Sequence, residues 1–146
     1  MSYLVDTNVL LRSIQETHPM HESSLQAIRI LFEQSETLCI IPQNLIEFWV
    51  VATRPIEVNG LGLSFADALN ELEQLKNYFV LLPDTASIFP AWENLIAKYQ
   101  VIGKPSHDAR LVAAMIAHNV SYILTFNISD FRRFTEITSL DPRNIS

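Results

Sequence analysis

Short, wholly apolar runs alternate along the chain with longer stretches in which apolar residues recur every three or four positions. Residues 3–5 form the first run and read as a buried strand. Asp6, Thr7 and Asn8 follow, residue types that favour caps and turns, and an apolar face resumes over 9–14. From about residue 20 to residue 34, Leu25, Ile28, Leu31 and Phe32 keep helical spacing. A second strand over 38–41 stops at Pro42. A helix over 43–53 gathers Leu45, Phe48, Trp49 and Ala52 on one face and carries Glu47 in its middle. It ends at Arg54, because Pro55 disfavours helix in the residue before it.

Residues 56–63, with Gly60 and Gly62, predict a loop. Ser64, with Asp67 three residues on, predicts a capped helix start, and Leu69, Leu72 and Leu75 continue its apolar side. A third strand is predicted over 80–82, helices over 86–99 and 106–118, and a fourth strand over 122–125. Residues 125–130 read as a polar turn and 136–140 as a closing strand. Strands alternating with helices of this length imply an α/β domain of βαβ units around a parallel sheet, joined by right-handed crossovers. Strands that are continuously apolar imply a sheet covered on both faces.

The length of 146 residues predicts one domain spanning 1–146, and 49% hydrophobic residues suffice for its core. Charge narrows the choice of partners. With 16 acidic and 10 basic residues the net charge is -6, the wrong sign for gripping nucleic acid by bulk electrostatics. A nucleic-acid substrate then requires the acids to gather at a metal with the few bases around it; simple solubility explains the charge equally well. The single cysteine, Cys39, excludes an intramolecular disulfide and reads as a buried thiol. The N-terminus has no basic segment before its apolar run, and no apolar stretch reaches membrane length, so a cytoplasmic protein without a membrane span is expected.

Candidate chemistry lies in scattered polar residues. Asp6 directly follows the first strand, Asn127 and Asp130 follow the fourth, and Glu47 lies in the first turns after the second. In a parallel sheet, ligands bind outside the carboxyl ends of the strands, so these positions are expected at one edge. Asp108 joins them if its helix starts near that edge. Each has a structural role available to it alone. Asp6 could cap a helix, Asp108 could face a helix dipole with Ser106 as the cap, and Asn127 and Asp130 could form turns. Glu47, between Leu45-Ile46 and Phe48-Trp49, is harder to explain that way.

Taken together, close carboxylates repel unless a cation sits between them. Oxygen-only ligands select Mg²⁺ or Mn²⁺ and disfavour zinc. Such a site suits in-line attack of water on a phosphodiester, with Asn8 and Thr125 orienting the carboxylates. Other features carry less. His18 and His21 have no further Cys/His cluster to complete a site, and His107 reads as packing at a helix start. Trp49 and Trp92 are expected in the core or an interface.

The segment Val5-Asp-Thr-Asn8, the helix-borne Glu47, the run from His107 to Ala114 and the closing Thr125-Phe-Asn-Ile-Ser-Asp-Phe131 resemble the PIN domain, in particular the bacterial VapC-type ribonuclease toxins. The likeness runs over essentially the whole chain with the motifs in the family's order. It implies a three-layer α/β/α sandwich and Mg²⁺- or Mn²⁺-dependent endoribonuclease activity. It also implies frequent homodimers and often an antitoxin partner. By position, Asp6, Glu47 and Asp108 would be the acidic triad, with Asn127 or Asp130 in the fourth place. Lys104, Arg110, Arg132 and Arg133 lie near these motifs and are the candidates for RNA phosphate contacts. Two other classes stay open: an inactive domain kept for binding or dimerisation, and a different Mg²⁺-dependent phosphohydrolase. The latter commonly shows Asp-x-Asp after the first strand, where this chain has Asn8.

Overall fold

The five predicted strands become five parallel strands, in a computed structural model that describes residues 1–146. The strands β1 (Ser2–Val5), β2 (Thr37–Ile40), β3 (Val80–Leu81), β4 (Tyr122–Leu124) and β5 (Thr138–Leu140) stand in the order β3-β2-β1-β4-β5. All four pairings are parallel, with Leu4 opposite both Cys39 and Ile123, so the sheet is wholly rather than mainly parallel. Seven helices accompany it: α1 (Thr7–Ile14), α2 (His21–Glu33), α3 (Pro42–Thr53), α4 (Phe65–Tyr78), α5 (Ile88–Tyr99), α6 (Ser106–Ala117) and α7 (Ile128–Phe131).

The two-residue side-chain period of a strand divides the core in two. Tyr3, Val5, Leu38, Ile40 and Leu124 point to one face, where they pack with Val9 and Leu10 of α1, Ile28 and Leu31 of α2, Phe48 of α3 and Leu75 of α4. Leu4 and Ile123 point to the other, against Ile88 and Leu95 of α5, Leu111 and Met115 of α6, and Phe131. The result is a three-layer α/β/α sandwich. The inner strands are covered on both sides as expected, but β3 is not. Its Val80 and Leu81 are 50% and 40% exposed, because a two-residue edge strand has no full helix layer over it.

Other elements depart from the sequence pattern locally. Ser64 caps α4, its hydroxyl accepting from the Asp67 amide at 3.1 Å, as predicted. The buried side of that helix is Ala68 and Leu75 flanking half-buried Leu72, whereas Leu69 is exposed. Successive steps of three drift off a 3.6-residue face, and 68, 72 and 75 stay on it. The polar turn after β4 winds into the single turn of α7. In the loop after α3, a Cβ on Gly60 would sit 1.9 Å from the Arg54 carbonyl oxygen, so only glycine permits this close return of the chain.

The strand order places one crevice. The chain runs outward from β1 through β2 to β3, then crosses back to β4 and β5. Loops leaving β1 and β4 at their carboxyl ends therefore diverge, which is the topological switch point where open α/β sheets bind ligands.

Candidate active site at the switch point

Asp6 occupies that crevice as the N-cap of α1. Its Oδ1 accepts from the Thr7 amide at 2.8 Å. Its Oδ2 accepts from the Thr125 hydroxyl at 2.8 Å and from Asn8 Nδ2 at 3.2 Å. Thr125 Oγ1 in turn accepts from the Asn127 amide at 3.0 Å, and Asn8 Oδ1 accepts from the Phe126 amide at 3.2 Å. These bonds stitch the ends of β1 and β4 together and hold Asp6 in one rotamer. Asn8 and Thr125 thus stand behind the carboxylate, where the sequence placed them. Capping and a chemical role are compatible here, since the cap uses only one carboxylate oxygen.

Glu47 reaches the same crevice from the second turn of α3. Its Oε1 accepts from the Thr7 hydroxyl at 2.9 Å, and its Oε2 from Gln43 Nε2 at 3.4 Å. The Thr7 hydroxyl also accepts from Asn44 Nδ2 at 3.3 Å, and Asn44 Oδ1 accepts from the Ile41 amide at 2.9 Å. Sequence reasoning passed over Thr7, Gln43 and Asn44. Asn44 alone left a signal, standing three residues past the residue that begins the helix, where a side chain can reach back to the cap amide. The pairing of Thr7 with Glu47 spans 40 positions and has no local signature.

Asp108 enters from the first turn of α6, and Asp130 from the first turn of α7. The assumption that α6 starts near the sheet edge holds. Ser106 does not cap that helix. It is the first helical residue after Pro105, no side chain caps the start, and its carbonyl accepts from Trp92 Nε1 at 2.8 Å. Asp6, Glu47, Asp108, Asn127 and Asp130 all line one open cleft of about 460 Å³, with Lys104 on the same wall. Arg110 lies beyond it, with Nη1 donating to Gln43 Oε1 at 3.1 Å and Nη2 to Asp84 Oδ1 at 3.3 Å. Arg132 and Arg133 are exposed and off the cleft; Arg133 covers the Phe134 ring at 5.8 Å. His18 and His21 serve their own loop, accepting from the Met20 amide and meeting the Arg12 carbonyl.

The electrostatics follow from burial and crowding. Asp6 is only 7% exposed. Loss of hydration pushes its pKa from 3.8 up to about 7; bonds from Thr125 and Thr7 oppose this, and the charges of Glu47 and Asp108 add to it. Half-buried Asp108 rises to about 6, first through desolvation, then through Asp130 and Glu47, with His107 and Lys104 pulling the other way. No three of these side chains close around a single point as direct ligands. The donors are nevertheless all oxygen and their charges are mutually unfavourable. That set fits a hard divalent cation held by one or two carboxylates with water completing its shell, as Mg²⁺ commonly is.

The PIN domain family model matches residues 3–137. This chain belongs to the PIN-domain family. Solved structures similar to this PIN domain include VapBC2 from Rickettsia felis bound to a DNA fragment from their promoter. The TM-score is 0.75 at 17% identity, over 97% of this chain and 98% of that one. VapBC-1 from nontypeable Haemophilus influenzae follows at TM-score 0.70 and 19% identity, over 97% and 98% of the two chains. VapC20 of Mycobacterium tuberculosis, a sarcin-ricin loop cleaving toxin, gives TM-score 0.60 and 17% identity over 83% and 86%. No curated protein sequence matches the chain. No helix of this PIN domain is long and apolar enough to cross a membrane.

Proposed function

We propose that this PIN domain is a divalent-metal-dependent endoribonuclease and the toxin half of a toxin–antitoxin pair. The observation that carries the reading is the convergence of Asp6, Glu47, Asp108 and Asp130 on one cleft at the switch point, with Asp6 buried and wired on both oxygens. A carboxylate cluster of this kind is costly unless something cationic shares it. The similar folds of VapBC proteins support the pairing with an antitoxin, and the sarcin-ricin loop cleaving toxin supports RNA as substrate.

In this reading Asp6, Glu47 and Asp108 surround Mg²⁺ or Mn²⁺, one or two of them as direct ligands and the rest through its water, with Asn127 and Asp130 at the outer side. When bound, the ion offsets the negative charge so that a phosphodiester can approach, and it polarises phosphate and water for hydrolysis. Thr125 and Asn8 fix Asp6, and Thr7 with Gln43 fixes Glu47, so neither carboxylate must reorganise as the substrate arrives. Lys104, which lines the cleft, would meet a phosphate oxygen. Two copies are expected to pair, as the resemblance to VapC-type toxins implies.

Cleavage of a panel of tRNA, ribosomal RNA fragments and single-stranded RNA, with Mn²⁺ or EDTA, tests the reading in wild type beside Asp6→Asn. Metal-dependent cutting by wild type alone is expected. Equal cutting by the variant, or cutting in EDTA, would place the chemistry elsewhere.

A further inference from the structure

The carboxylate cleft does not end at Glu47. Glu47 and Ile46 line both the cleft and a neighbouring trench, whose far wall is His107 and Arg110. His107 and Arg110 in turn line a third hollow of about 330 Å³, floored by Ile88, Phe89 and Trp92 of α5. One groove therefore runs from the carboxylates, past an arginine, to an aromatic cup.

The cup has features that core packing does not explain. Phe89 is 62% exposed although it sits in the first turn of a helix whose Ile88 is 3% exposed. Its ring stacks on Trp92 with centroids 5.5 Å apart and planes 26° from parallel. Trp92 is only half-buried, and its indole N–H is fixed to the Ser106 carbonyl, so the ring cannot swing away. Arg110 is steadied at the junction by Gln43 and Asp84. Gln43 also donates to the His107 carbonyl at 2.8 Å, tying the arginine's position to the helix that carries Asp108.

A phosphate-linked chain lying along this groove would pass the carboxylates, then Arg110, then the aromatic pair. We infer that the Phe89–Trp92 cup is a base-binding subsite for an unpaired nucleotide next to the phosphodiester held at the carboxylates, with Arg110 meeting the intervening phosphate. The inference rests on the ribonuclease reading and names the part of the substrate that the chain grips beside the cut. Every base has a π-face, so stacking on an aromatic pair selects single-stranded over paired RNA without fixing sequence. Trp92, expected from the sequence in the core or an interface, then serves as the fixed back of the cup, and Phe89 is the face the base meets.

The test is binding of a short, labelled single-stranded RNA in EDTA, where cleavage is off, and of the same RNA with an abasic site moved along it. Phe89→Ala should weaken binding about tenfold, as expected for one lost stacking contact, and Phe89→Tyr should restore it. At one abasic position wild type and Phe89→Ala should become indistinguishable, since the partner of the ring is gone. Absence of measurable RNA binding, equal binding by Phe89→Ala, or a Phe89→Ala deficit that persists at every abasic position would overturn the subsite. A Phe89→Ala protein whose oligomeric state changes, with RNA binding lost only through that change, would reassign the face to protein contact. The two readings fail separately: cutting without abasic coupling removes the subsite and keeps the nuclease, whereas coupling without any metal-dependent cutting removes the nuclease and keeps the RNA groove.

Discussion

The two walls of the carboxylate cleft are built differently. On the inner wall, Asp6 and Glu47 are tied into a hydrogen-bond network through Thr7, Thr125, Asn8, Gln43 and Asn44 that ends on the backbone amides of Thr7, Ile41 and Phe126. On the outer wall, Asp108 is half-buried, and Asn127, just before the short α7, and Asp130 within it are exposed, their side chains holding no hydrogen bond in this fold. Burial without a counter-charge drives the inner Asp6 up to about 7, while Asp130 keeps its water. The inner wall is thus preformed and carries a repulsion that a bound cation would relieve. The outer wall is a solvated rim that can adjust to what enters.

Breaking the inner wall should cost most. Asp6→Asn is expected to lower RNA cleavage by more than about 100-fold, beyond the loss that follows removal of a supporting hydrogen bond. Circular dichroism should show its fold unchanged. Cleavage within about tenfold of wild type would show that the inner wall is not the reacting centre.

Loosening the same wall without removing a carboxylate should cost less. Thr125→Val keeps side-chain volume but deletes the 2.8 Å bond to Asp6. A loss of about 10- to 100-fold in Mn²⁺ affinity or cleavage is expected. Unchanged Mn²⁺ titration of this variant would mean that Asp6 needs no help to hold its geometry.

The same wall should also show in stability. A folded chain holds the Asp6 proton up to about pH 7, while an unfolded one releases it near 3.8. The folded state therefore binds more protons, and its stability falls as pH rises toward and through 7. Asp6→Asn, which cannot ionise, should stabilise the metal-free protein by about 1–3 kcal/mol near pH 8, and the gain should vanish toward pH 4. Mn²⁺ should raise the melting temperature of wild type more than that of the variant, because it binds only the folded inner wall. Thermal melts at both pH values, with EDTA or Mn²⁺, check both signs. A variant less stable than wild type at pH 8 would mean that the hydrogen bonds outweigh the repulsion.

The outer rim should be the most tolerant. Asp130→Asn is expected to reduce cleavage by about tenfold or less, since a carboxamide still offers an oxygen to a hydrated ion. A loss as large as that of Asp6→Asn would erase the distinction between the walls and give Asp130 the fourth acidic place outright.

Much of the fold was legible because its signals are local. Short apolar runs alternating with helical periodicity announce parallel βαβ units, and each of the five predicted strands formed, the last on the more polar segment 136–140. Asp6, Glu47 and Asn127 were legible as a site because each follows a strand, and parallel strands bring their carboxyl ends to one edge. The edge character of β3 was not, since Val80-Leu-Leu82 reads the same whether or not a helix covers it. The capping assignment of Ser106 failed for a related reason: a serine at a helix start announces a cap only if its backbone stays outside the helix.

The sequence by itself determined which residue types could hold a hard cation, their order along the chain, and the strand ends on which they ride. Tertiary structure alone decided that Thr7 bonds Glu47 across 40 positions, that Thr125 bonds Asp6 across 119, and that Arg110 turns to Gln43 and Asp84. It also decided that Phe89 stays 62% exposed and stacks on Trp92, while Trp92 itself leans on the core. The reason is range. Propensity, capping and periodicity act within a few residues, whereas a hydrogen bond or a stacked pair between distant segments depends on where packing of the whole sheet sets them down.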